Sequence, residues 1–163
     1  MRTLILALAC TALVAQAPDP LGPVRFLAGT WVGEGTGEPG RNAGEVIFTF
    51  ELGGKALVRH NATSFPAQEG RAAFVHSDLM TIYPDGSQLK ALYLDSEGHV
   101  IHYNVTAKGE DVVFLSEPQP GPTFRFIYRS KPGGALYSAF AIAPPGKPEA
   151  FTTHVEGEAR RKR

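Results

Sequence analysis

The stretch Glu45-Val46-Ile47-Phe48-Thr49-Phe50-Glu51-Leu52, followed by Gly53-Gly54, decides the fold class. Val46, Phe48, Phe50 and Leu52 occupy alternate positions. In an extended chain successive side chains point to opposite faces, so this pattern predicts a half-buried strand with those four residues turned inward. The glycine pair supplies the positive φ of a tight hairpin and predicts a return strand over about 55–65.

The same grammar extends in both directions. Phe124, Phe126 and Tyr128 alternate with Arg125, Ile127 and Arg129. Turn signals stand at Asp85-Gly86, Ser96-Glu97-Gly98, Lys108-Gly109-Glu110, Pro118 to Pro122, Gly133-Gly134 and Pro144-Pro145-Gly146. They predict strands near 30–37, 45–52, 55–65, 73–83, 88–95, 99–107, 111–117, 123–130, 135–143 and 149–160. Only residues 20–28 have room for a turn or two of helix. Short links between sequential strands favour an antiparallel meander, which loses its exposed edges by closing on itself. A β-sandwich needs longer crossings. The expected fold is therefore all-β, an antiparallel up-and-down β-barrel of about ten strands.

The 163 residues suit one domain, and the sixteen Lys and Arg balance the sixteen Asp and Glu. No global field draws the chain to nucleic acid or to an acidic membrane surface. Arg160-Arg161-Lys162-Arg163, the one charge run, reads as a solvated tail. Arg2, the apolar run Leu4 to Val14 and the small-x-small site Ala15-Gln16-Ala17 have the form of a signal peptide. The expectation is export, periplasmic or secreted, after cleavage near Ala17, with a single barrel domain over 18–163. The run is too short to span a bilayer, and no integral membrane segment is expected further on. The single cysteine, Cys10, falls inside that leader. The mature chain is then expected to lack disulfides and thiolate metal sites.

At residues 26–37 the chain reads Phe-Leu-Ala-Gly-Thr-Trp-Val-Gly-Glu-Gly-Thr-Gly. Gly29-Thr30-Trp31 resembles the Gly-x-Trp motif that opens the first strand of lipocalin-like barrels. The extension through Gly33, Gly35 and Gly37 is similar to nitrobindin-type haem-binding barrels. A broader similarity, to an uncharacterised family of exported bacterial domains, rests on Gly54-Lys55-Ala56-Leu57-Val58-Arg59, His76-Ser77-Asp78-Leu79-Met80, the run Leu92 to Ile101, and Ala143-Pro144-Pro145-Gly146. The lipocalin resemblance implies a barrel with a ligand cavity, closed at one end by Trp31. The nitrobindin resemblance implies a haem held by one histidine on the last strand, here His154. A neutral imidazole is a sound axial ligand for iron.

Other chemistry is sparse. His99 and His102 are three apart, which puts them on opposite faces of a strand. His76 and Asp78 are two apart and can share a face. His60 has no position that assigns it a partner. Asp78, Asp95 and Glu97 read as lying near turns or strand ends, with no spacing that assigns acid and base roles. Gly35-Thr36-Gly37-Glu38-Pro39-Gly40 matches a dinucleotide-loop pattern, but a strand follows it where that site needs a helix. Leu57, Arg59, Asn61 and Thr63 share one mixed face, as the wall of a polar-lined cavity would. An inward arginine there is a ready partner for a ligand carboxylate. The leading expectation is an exported protein that binds a small, largely apolar molecule, with Trp31, Arg59, His76 and His102 as ligand-binding candidates. The alternatives are a haem protein with nitric oxide or reactive-nitrogen chemistry, using His154, and a barrel enzyme with His76 or His102 as general base. A homodimer through exposed strands is compatible with the pattern.

Overall fold

The computed structural model describes residues 19–33, 44–67, 69–70 and 72–163. The leader with Cys10 and the glycine pattern at 35–40 lie outside the described residues. Strands run β1 (Gly29–Gly33), β2 (Gly44–Glu51), β3 (Ala56–Phe65), β4 (Phe74–Asp85), β5 (Gln88–Asp95), β6 (Val100–Lys108), β7 (Asp111–Ser116), β8 (Thr123–Ser130), β9 (Ala135–Ala143) and β10 (Thr152–Arg161). Each pairs antiparallel with its sequence neighbours, and β1 pairs with β10, so the sheet closes as an up-and-down barrel.

Most inward positions follow the alternation. Val46, Phe48 and Phe50 join the core or pack against it. Leu52 does not. It leaves the strand with φ 53° and is 77 % exposed, because the hairpin turns one residue earlier than the apolar pattern suggests. The last strand begins at Thr152 rather than near 149, since residues 145–149 are taken up by turns.

The two ends of the barrel differ. At one, the β2–β3, β4–β5 and β6–β7 links are tight and glycine-containing, and a 3₁₀ helix, η1 (Gly22–Leu27), packs Leu21, Val24 and Leu27 into the barrel. Trp31 lies beneath it, its Nε1 donating 2.7 Å to the Leu27 carbonyl. Closure of this end is thus the work of η1, with Trp31 as a buried support. The basic residues expected as a solvated tail are exposed, and two of them, Arg160 and Arg161, also pair with the first strand. Arg161 pairs with Trp31 in register, its guanidinium lies 4.5 Å from the indole ring, and its Nη1 donates to the Ala28 carbonyl. Gly29 of the Gly-x-Trp motif has φ 129°, an angle that favours glycine, and a Cβ there would also push aside the mobile end of Arg161.

Across the barrel's middle runs an aromatic chain, Tyr93–Tyr103–Phe114–Tyr128–Phe48, with edge-on contacts of 6.5, 6.4, 5.8 and 5.6 Å between centroids. Edge-to-face rings pack favourably beyond their area burial. This layer tops the packed half, and its Tyr93 and Tyr128 form the floor of the cavity in the open half.

Candidate functional site

Above that floor lies a cavity of about 480 Å³. Its position follows from strand direction. Inward residues at the end of β3, the start of β4 and the end of β5 all fall on the side away from η1. The same holds for the start of β8, the end of β9 and the start of β10.

The two sides of the cavity have different chemistry. On one side, β8 and β9 present Phe124, Phe126 and Phe140, with the Phe140 ring stacked on Phe124 at 6.1 Å and tilted against Phe126 at 4.8 Å. Facing them, β3, β4 and β5 present a polar network. Register places Asn61, Asp78 and Asp95 on one rung, and Thr63 opposite His76 on the next. Arg59 Nη1 stands 2.8 Å from Asp78 Oδ1, an ion pair whose side chains are only 6 % and 2 % exposed. The pair is off hydrogen-bond alignment, and Arg59 Nε has no hydrogen-bond partner among the described residues. Asn61 Nδ2 donates to Asp78 Oδ2 at 2.8 Å. The Arg59 guanidinium also lies 5.2 Å from the Phe126 ring, so it spans the gap between the walls.

His76 is clasped on both nitrogens, Nδ1 at 2.7 Å from Glu97 Oε2 and Nε2 at 3.2 Å from Asp78 Oδ2. The Asp78 carboxylate, then that of Glu97, raises the imidazole pKa against the opposing effect of burial. Burial, reinforced by the Asp78 and Asp95 charges, pushes the Tyr93 hydroxyl far up, so it stays a neutral donor to Asp95. Asp95 is held below the usual carboxylate range. Burial works against its charge, but the backbone and side chain of His99 outweigh that. Tyr128 in the floor is pushed up to about 12 by burial.

No protein-family model and no curated protein matches this chain. Function is therefore read from the site itself.

Of the residues singled out from sequence, Arg59 and His76 line the cavity. Trp31 is buried with η1, outside the cavity lining. His102 is exposed on the outer face of β6, while His99, at the mouth, lines the cavity. His154 is exposed at a register shift in β10, and Val155 lines the cavity beside it. The described residues do not fit haem ligation at that position, since an axial imidazole must reach the cavity and His154 does not line it. His60 is exposed as well. The placement of Asp78 near a turn or strand end is corrected. It sits inside β4 and is 7 % exposed, because β4 runs from Phe74 to Asp85. Tyr93, Asp95 and Glu97 enter the site through cross-strand register, which sequence spacing does not show.

Proposed function

We propose that this chain is a small-molecule-binding barrel whose ligand is amphipathic. An apolar body lies against the phenylalanine wall, and a hydrogen-bonding head meets the Arg59–Asp78–His76 network. The observation that carries this reading is the segregation of the walls around one cavity. Its volume falls within the roughly 300–1,000 Å³ typical of ligand sites, which combine an apolar lining with a few placed polar groups. The leader read from the sequence would put this binding outside the cytoplasm.

The arrangement favours binding over general-base catalysis. Both ring nitrogens of His76 are already engaged by carboxylates, so neither is free to take a substrate proton. His102 lies on the outer face.

An environment-sensitive uncharged fluorophore such as Nile red tests the proposal. We expect saturable binding near one equivalent, weakened when Phe140→Arg puts a bulky cation into the apolar wall. A protein that shows no saturable site, or binds equally well with Phe140→Arg, overturns it. Displacement of the fluorophore by a panel of lipids and other amphipathic metabolites then sorts the head groups.

A further inference from the structure

We infer that His76, Asp95 and Glu97 form a divalent-metal site on the polar wall of the cavity, suited to a first-row transition ion such as zinc. One ligand atom from each residue lies within 4.8 Å of the other two. Ligands at about 2.0–2.2 Å from a tetrahedral zinc stand roughly 3.4 Å apart, so side-chain rotation of about an ångström or more closes the triad. The donor set mixes imidazole with carboxylate. That combination suits zinc and its neighbours, whereas calcium and magnesium are bound by oxygen alone.

The surroundings are those of a metal site rather than of an acidic surface. A ligating histidine typically gives its other ring N–H to a carboxylate that fixes its orientation. With His76 Nδ1 facing Glu97, Nε2 is held by Asp78, and Asp78 is anchored by the buried Arg59. Asp95 is fixed in turn by the backbone N–H groups of Glu97 and His99 and by the His99 ring. Charge points the same way. Among the described lining residues three carboxylates, Asp78, Asp95 and Glu97, face one permanent cation, Arg59. The excess of two negative charges is what a divalent ion neutralises. Three protein donors leave at least one coordination position for water or for a donor atom of the cavity ligand, as in open zinc sites.

Zinc alone is the probe, with the chelator-treated protein titrated by calorimetry. We expect one equivalent to bind, and Glu97→Gln, Asp95→Asn and His76→Ala each to weaken it at least about tenfold. His102→Ala and His154→Ala, at exposed positions outside the cavity, should leave it unchanged. Glu97 lies in a turn between β5 and β6, so Glu97→Gln keeps the result readable if Asp95→Asn fails to fold. Cobalt(II) in place of zinc should give visible absorption bands that Glu97→Gln alters. Absence of stoichiometric zinc uptake, uptake unaffected by Glu97→Gln, or tighter binding of calcium than of zinc overturns the proposal. The fluorophore assay is separate, so failure of the metal site and failure of the apolar site are distinguishable.

Discussion

The two halves of this barrel are built from the same strands and do opposite things. Toward η1 the interior is apolar and close-packed. Val24, Leu27, Leu57, Met80, Ile82 and Phe114 have no measurable exposure. Toward the other mouth the same strands carry a buried ion pair, a doubly held histidine and a cavity. The first half supplies the packing, and the second holds the binding site proposed above. A site made of desolvated charge and unfilled space contributes little to folding and needs a well-packed neighbour to hold it open.

The sharpest way to break that contrast is to remove an aromatic ring from each half. Phe114→Ala, in the closed half, should cost about 3–5 kcal/mol in urea unfolding, the cost of a core cavity. Phe140→Ala, on the cavity wall, should cost less than half as much and weaken apolar-probe binding. Equal costs would mean that the cavity half is as tightly packed as the other.

Next in size is the ion pair at the boundary. Arg59→Met strands the Asp78 carboxylate in a buried setting and should cost about 3 kcal/mol. Adding Asp78→Asn should recover part of that loss. A double-mutant cycle without coupling would show that the pair does not act as a unit.

At the closing seam Gly29→Ala should cost about 1–3 kcal/mol through its positive φ and the clash with Arg161. Arg161→Ala in the same background should relieve only the clash.

The smallest effect is a pair of opposite pH responses in the metal-free protein. His76 has a raised pKa, so its stabilising contribution is complete below the unfolded value near 6.5 and is lost as pH climbs through the folded value. His76→Gln should flatten the stability profile above that point. Asp111, at the closed end, is held below the usual range by Arg129, with Nε and Nη2 at 2.6 and 2.9 Å from its carboxylate. Its contribution is present above the unfolded value near 3.8 and is lost as pH falls through the lowered folded value. Asp111→Asn should flatten the acid limb alone. Stability measured across pH for both variants checks the pair.

Much of the scaffold was legible from local pattern. The ten strand positions follow from alternation and from glycine and proline, because side-chain direction in a strand and backbone freedom in a turn are local properties. The mixed face of β3 was compatible with a polar cavity wall, and Arg59, Asn61 and Thr63 of it, though not Leu57, line the cavity; His76 and Asp78, two apart, line it together. Leu52 misled because it continues an apolar pattern past the point where the chain turns.

By itself, then, the sequence determined which segments extend and about where they turn, and the inward face of strands as regular as β8, but it did not orient His102 or His154, which the structure leaves exposed. Tertiary structure alone decided which inward residues meet. The convergence of Tyr93, Asp95 and Glu97 on His76 depends on the β4–β5 register and on the turn that follows β5. The recruitment of Arg161 depends on β10 closing against β1. Both are long-range pairings set by the whole ring of strands, and a one-residue slip in either would turn every side chain of that strand to its other face.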